Sequence, residues 1–338
     1  MKDKPTLAFP AMLRSVAAPK TPPEYLGGLE TFVDMFSGIG GFHLAATSFG
    51  MRCVFACDID EEARYAYEHN TGLKPHGDIS HISPKSVPDH DLFCAGFPCQ
   101  PFSIIGQRKG FDDIRGTLFF EIVRVVKAKK PRAILLENVK QLASNDKGKT
   151  LKRIIDEIEG LGYTVAWKVL NALDFGLPQK RERILIAATL DAFDSFPWPE
   201  SKRTMKPLSD ILEAKPDDKH FVSERIRKRR QKMHTSKYTP GIWHENKAGN
   251  ISSYPYSCAL RAKASYNYLL VNGERRLTPR EMLRLQGFPD SFDIVCNDSQ
   301  TRKQAGNAIP VPLAVVGIEG ILNVIAASEA KRQHKSTS

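Results

Sequence analysis

Thr31-Phe32-Val33-Asp34-Met35-Phe36-Ser37-Gly38-Ile39-Gly40-Gly41 decides the architecture. Thr31 to Phe36 reads as a strand, and Phe42-His43-Leu44-Ala45-Ala46 reads as the start of a helix. A strand, a glycine loop and a helix bring backbone N–H groups and a helix N-terminus close to a ligand. Cys53 to Asp58 reads as a second strand, ending in an acid about 20 residues past the glycines. An acid at that place commonly accepts hydrogen bonds from ribose hydroxyls. A helix over Glu61 to Asn70 follows, then a second acidic loop, Gly77-Asp78-Ile79.

The alternation continues along the chain. Leu118, Phe119, Ile122, Val125 and Val126 share one helical face, and Ala133 to Val139 is a buried strand with Glu137 near its end. Leu151, Ile154, Ile155, Ile158 and Leu161 repeat the helical period until Gly160 and Gly162 stop it. Val165 to Leu170 and Ile184 to Ala188 supply two more strands. The expected fold class is therefore α/β, with a mainly parallel sheet and helices on both faces.

Gly96-Phe97-Pro98-Cys99-Gln100-Pro101-Phe102-Ser103 follows a short apolar strand, Asp91 to Ala95. Pro98 fixes its own φ and biases Phe97 towards an extended backbone, so Cys99 sits at the tip of a stiff turn. A thiolate is a strong nucleophile, and a strand-end loop is where it can be exposed and activated. Asp34, Asp58, Asp78, Cys99 and Glu137 thus all fall at strand ends, where ligands bind in a parallel sheet. One shared crevice is expected.

Bulk properties narrow the class. The 338 residues can hold a large domain and a smaller one, and the charged content of 26% is that of an ordinary globular chain. No run approaches membrane-spanning length, and the N-terminus lacks the apolar core of a signal peptide. The six cysteines form no disulfide framework, and a zinc site is not expected, so a reducing cytoplasm is inferred. Lys and Arg number 49 against 38 acids, a net charge of +11 that favours a polyanionic partner. A dense basic run lies over Phe221 to Lys232, and Lys331, Arg332 and Lys335 end the chain.

Residues 1–28 are Pro-rich and read as a loose arm, and residues 29–190, completed by 301–328, as the main domain. Residues 191–300 lose the periodicity and read as a smaller domain, with 329–338 as a basic tail. Pro310 to Ala326 reads as a final amphipathic helix.

The order of these pieces resembles the DNA cytosine C5-methyltransferases of the bacterial restriction–modification type. The matching segments are Phe32 to Gly41, Gly77-Asp78-Ile79, Gly96 to Ser103, Gly116 to Phe120, Glu137-Asn138-Val139, Gln179 to Arg183, Arg276 to Pro289 and Gln304 to Ala308. The resemblance covers residues 31–320 in the family's order. It implies a Rossmann-like adenosylmethionine-dependent methyltransferase fold with a target-recognition domain. It makes Cys99 the nucleophile on C6 of cytosine, Glu137 the group against N3, Arg183 the cation at the O2 side, and Arg181 its neighbour. Phe36, Gly38, Gly40, Asp58, Ile59, Asp78, Ile79, Leu118 and Asn307 would bind S-adenosyl-L-methionine. The family often has Glu and an aromatic where this chain has Asp58-Ile59, so weaker adenine stacking is expected.

The partner implied is double-stranded DNA, with the target cytosine flipped out of the duplex. Gln100, Ser103 and Arg108 would support the opened duplex, Arg227, Lys228, Arg229 and Arg230 would meet phosphates, and Arg261 and Lys263 would read guanine edges. The resemblance further implies a monomer, without metal or membrane, and a cognate restriction endonuclease acting on the same site without a stable complex. A tRNA cytosine methyltransferase of the same fold, a silent DNA-binding regulator and a nicotinamide-dependent oxidoreductase are the alternatives.

Overall fold

The computed structural model describes residues 28–98, 118–200 and 204–336. Residues 1–27 of the expected arm lie outside the described residues, as do Cys99, Gln100, Ser103 and Arg108. The first half of the chain forms β1 (Thr31–Met35), α1 (Gly41–Thr47), β2 (Arg52–Cys57), α2 (Glu61–Thr71), β3 (Leu92–Gly96), α3 (Leu118–Lys129), β4 (Ala133–Val139) and α4 (Lys149–Glu159). Then come β5 (Thr164–Asn171), β6 (Gln179–Lys180), β7 (Glu182–Thr189), α5 (Glu224–Met233), β8 (Ile242–Glu245), β9 (Ile251–Tyr254) and β10 (Ser257–Cys258). The chain closes with β11 (Leu269–Val271), α6 (Pro279–Leu285), α7 (Asp298–Asn307) and α8 (Val311–Ser336).

The chain divides into two compact units. The larger comprises residues 28–98, 118–170, 182–200 and 313–336, and the smaller comprises 171–181 and 204–312. These limits correct the expected smaller domain of 191–300. Residues as far as 200 stay with the sheet, where Phe196 packs so closely on Gly320 that a Cβ there would lie 2.3 Å from its ring. Residues 301–312 join the smaller unit because the Arg181 guanidinium grips the carbonyls of Gly306 and Ala308 at 2.9 Å.

In the larger unit a six-stranded sheet runs in the order β2-β1-β3-β4-β7-β5. β1 pairs in parallel with β2 and β3, β3 in parallel with β4, and β7 runs antiparallel to β4. Alternate side chains supply two buried faces, as a strand period of two requires. Val33, Phe93, Ile134 and Leu136 pack in one core with Ile122 and Val125 of α3 and Ile154 of α4. On the opposite face Phe32 meets the His43 ring of α1 at 5.6 Å, and Leu135 presses on Gly317 of α8. The α/β architecture read from the periodicity is therefore present.

In the smaller unit β11, β8 and β9 form an antiparallel sheet, and β10 pairs with β6. The expected basic tail over 329–338 is instead largely helix, since α8 runs on to Ser336. Arg332 anchors it to Asp191 at 2.6 Å, and Glu329 accepts from Arg132 at 2.8 Å. The helical stretch Asp298–His334 is long and apolar enough to cross a membrane by composition, but 89% of its apolar window is buried in the fold.

Candidate active site and nucleic-acid interface

The glycine loop is held in a conformation that only particular contacts can maintain. Phe36 has φ of 55°, uncommon for a residue with a side chain, and Gly38 and Gly40 follow at 52° and 91°. Ser37 N–H donates to Cys57 O at 3.0 Å. Asp58 completes the restraint, with one carboxylate oxygen taking the Gly38 N–H and the other the Asp60 N–H, both at 2.8 Å. Burial raises the Asp58 pKa, opposed by those two N–H donors. The chain through His76 runs beside the end of β2, with Asp58 N–H donating to His76 O at 3.0 Å, so Asp78 enters the same region. Asp78 is held below the usual carboxylate range by hydrogen bonds from Ser80.

These residues fit an adenosine-type ligand. A Cβ added at Gly38 or Gly77 would meet nothing within 4 Å, so the space beside both loops is open. Ile59 stands at its edge on the acidic turn, 74% exposed. Phe36 is half-buried against the core, as is Leu118 at the start of α3. Two expectations, for Ile79 and Asp34, need correction. Ile79 is 3% exposed and its side chain is core, because the short helical turn after Asp78 rotates it inward. Asn307 ends α7 in the smaller unit. Asp34 is fully buried rather than at a crevice, since it occupies the inward position of β1 facing α1 and α2. Burial, reinforced by the Asp58 charge, raises its pKa well above the carboxylate range.

The proposed catalytic side chains converge at the ends of three adjacent strands. Gly96 of β3 is in register with Glu137 of β4, and Val139 with Arg183 of β7. Arg183 Nε lies 2.7 Å from Glu137 Oε1, with both side chains mostly buried. Gly96 leaves the space for this carboxylate, whose other oxygen would be 3.5 Å from a Cβ there. Asn138 donates to Phe97 O at 2.9 Å, and Phe97 packs on Phe119, so the backbone leading to Cys99 is anchored through Phe97. Arg181 is different. It is 1% exposed, and its guanidinium donates to the carbonyls of Leu260, Gly306 and Ala308 at 2.7–2.9 Å. A group so committed ties backbone segments together and does not stand free for a ligand.

On the smaller unit, Arg229, Arg261 and Lys263 line one open cleft, together with Arg225 and Lys247. Arg227 and Lys228 are exposed on α5, and Lys228 pairs with Glu224 at 2.8 Å. Arg230 corrects the reading of the basic run as a uniform phosphate-binding face. One turn-spaced position of α5 must face inward, and Arg230 fills it, fully buried against Glu245 at 2.6 Å. Arg229 donates to the other Glu245 oxygen. These partners hold Glu245 below its ordinary range, Arg229 first, against the effect of burial.

Sequence patterning misses α6 and the three-stranded sheet. The signal for α6 is Thr278-Pro279-Arg280-Glu281, which forms a capping box with proline in the first turn. No comparable local signal marks Gly306, where a Cβ would lie 2.5 Å from Ala262 N.

Residues 30–323 match the family model described as C-5 cytosine-specific DNA methylase. The chain is 53% identical over 284 residues to the Type II methyltransferase M.NgoBI of Neisseria gonorrhoeae, covering 83% of this chain and 89% of that protein. It is 54% identical over 286 residues to the Type II methyltransferase M.HaeII of Haemophilus aegyptius, with the same coverage of 83% and 89%. Among solved structures, Entamoeba histolytica methyltransferase EhMeth superposes with a TM-score of 0.70 at 17% identity, covering 87% of this chain and 98% of that one. The S. pombe Dnmt2 methyltransferase gives 0.66 at 23%, covering 87% and 98%. These two structures share the fold.

Proposed function

The chain belongs to the C-5 cytosine-specific DNA methylase family and is a DNA cytosine-5-methyltransferase of the Type II restriction–modification kind, and we infer that it modifies one short DNA sequence through a covalent adduct of Cys99, with S-adenosylmethionine as methyl donor. The observation that carries this reading is the convergence of Gly96, Glu137 and Arg183 at the ends of β3, β4 and β7.

C5 of cytosine is a poor nucleophile while the ring is aromatic. Attack of the Cys99 thiolate on C6 forms an S–C6 bond and moves the displaced electron pair towards C5 and the N3–O2 side. Glu137 at N3 and the amino group favours protonation there, and Arg183 stabilises the negative charge that grows on the ring. The Arg183–Glu137 contact orients both groups before the base arrives, so little reorganisation is needed. S-adenosylmethionine, when bound, supplies an electrophilic methyl group to C5. Loss of the C5 proton and elimination of the Cys99 thiolate restore the double bond between C5 and C6. Phe36, Gly38, Gly40, Asp58, Ile59 and Asp78 would hold the cofactor, with Asp58 also fixing the loop that contacts it.

A base inside a duplex is out of reach of such a site, so the cytosine must swing out, which costs a few kcal/mol. Gln100, Ser103 and Arg108 are assigned to that opened duplex. Arg227, Lys228 and Arg229 are assigned to phosphates, and Arg261 and Lys263 to base edges. The enzyme acts as a monomer, and a cognate endonuclease cuts the same sequence without binding it stably.

The test is bisulfite sequencing of plasmid DNA incubated with S-adenosylmethionine and either wild-type protein or Cys99→Ala. Methylation at one short motif by wild type alone is expected. Equal methylation by Cys99→Ala removes the nucleophile assignment, and modification of RNA with none of DNA removes the substrate assignment.

A further inference from the structure

The segment Arg261 to Tyr268 has no regular secondary structure, yet exposure alternates residue by residue from Arg261 to Ser265. Arg261, Lys263 and Ser265 are exposed, whereas Ala262 and Ala264 are half-covered. The covered residues are pinned from one side. Ala262 lies against Gly306 of α7, and Arg302, one turn earlier on α7, donates to Ala264 O at 3.0 Å. The segment ends in Tyr268, whose hydroxyl accepts from Arg261 N–H at 3.0 Å.

Tyr266 is 46% exposed, and guanidinium groups lie close to its ring, Arg276 at 4.9 Å and Arg302 at 4.6 Å from the centroid. Both arginines are fixed by other contacts. Arg276 Nε donates to Asn267 Oδ1 at 2.8 Å, and Arg302 holds Ala264 O. A guanidinium over an aromatic face is attracted by the ring's quadrupole, and here two act on one partly exposed ring. A ring engaged by two cations is poorly placed to stack on a nucleobase as well. Its chemistry suits a clamp.

We propose that the Arg276–Tyr266–Arg302 stack is the positioning device that holds Arg261, Lys263 and Ser265 in the spacing with which they read the target sequence. This rests on the assignment of the smaller unit to DNA reading. Tyr266 is then a specificity-determining residue that acts through its neighbours. An unstacked segment would keep its charges and hence its phosphate attraction, but would lose the fixed geometry that discrimination between base edges needs.

The experiment compares wild type, Tyr266→Leu and Tyr266→Phe on the motif found by bisulfite sequencing and on duplexes altered at one base pair of it, with KM, kcat and thermal midpoint measured together. Tyr266→Leu is expected to lower the ratio of cognate to altered-site methylation about tenfold, mainly through KM for cognate DNA, with kcat kept within about twofold. Tyr266→Phe keeps the ring and is expected to restore the wild-type ratio. An unchanged ratio in Tyr266→Leu, or an equal loss in Tyr266→Phe, overturns the proposal. Should Tyr266→Leu fail to fold, Arg276→Gln removes one of the two cations; a ratio lowered about threefold supports the clamp, and an unchanged ratio overturns it. Wild-type protein that methylates no DNA defeats the underlying assignment, and the clamp with it, whereas methylating wild type with an unaltered variant ratio defeats the clamp alone.

Discussion

Arg183 Nε and Glu137 Oε1 lie 2.7 Å apart across the antiparallel junction of β7 and β4. The pair joins a cation and a carboxylate assigned to adjoining positions, O2 and N3, on one edge of the pyrimidine. Glu137→Gln keeps the shape but cannot favour ring protonation, so kcat is expected to fall about 100- to 1,000-fold, with KM for DNA little changed. Arg183→Lys keeps the charge but loses the planar fork, and should cost at least about tenfold in kcat. Single-turnover methylation with tritiated cofactor measures both. A Glu137→Gln enzyme with wild-type turnover would remove the carboxylate from the chemistry.

Ile59 offers an exposed aliphatic surface at the acidic turn. An aromatic side chain there gains about 0.5–1.5 kcal/mol of stacking on a purine-type ring. Ile59→Trp is accordingly expected to tighten S-adenosylhomocysteine binding about three- to tenfold by calorimetry. Unchanged or weaker binding would place the adenine elsewhere.

Arg229 is the exposed member of the pair of arginines that share Glu245. If it meets a phosphate, Arg229→Gln weakens binding to all duplexes alike and lowers the slope of log K against log salt by about one. Fluorescence anisotropy at several salt concentrations reads this. A slope that stays at the wild-type value would leave Arg229 as a structural partner of Glu245.

Asp191 anchors the last helix through Arg132, Ser328 and Arg332. Burial would raise its pKa, but these three partners hold it below the ordinary range. A depressed carboxyl contributes stability that is complete above its unfolded pKa of about 3.9 and is lost as pH falls through the lower folded value. Asp191→Asn should therefore cost about 2 kcal/mol at pH 7 by urea unfolding, and the gap to wild type should close progressively below about pH 4. A gap that stays constant down to pH 2 would show that charge is not what the site supplies.

The sheet was legible because both its faces are buried: β1, β3 and β4 read as apolar runs, and α3 and α4 carry one apolar stripe each. The placement of Glu137 and Arg183 at the strand ends was legible, since each belongs to a short run of motif residues there. Direction was not. Charge type says nothing about which way a side chain turns, so Arg181 read as a member of the catalytic set and Arg230 as a phosphate contact although tertiary carbonyls and Glu245 draw them inward. Asp34 shows the same limit, since its inward position follows from its phase in β1 and not from its polarity. The unit boundaries were hidden because the contacts that set them, Arg181 to Gly306 and Phe196 to Gly320, join residues more than a hundred positions apart.

Gln179 and Arg181 bear on how target preference could be exchanged between relatives. Residues 204–312 look like a transferable cassette, yet Gln179 donates to Leu285 O at 2.7 Å and accepts from Leu260 N–H at 3.0 Å, while Arg181 holds three further carbonyls. A chimaera that imports a foreign cassette keeps these two anchors from the recipient. It can succeed only where the donor presents its backbone oxygens at the same places, or where 171–181 travels with it. Portability is governed by two side chains, Gln179 on the two-residue strand β6 and Arg181 just after it.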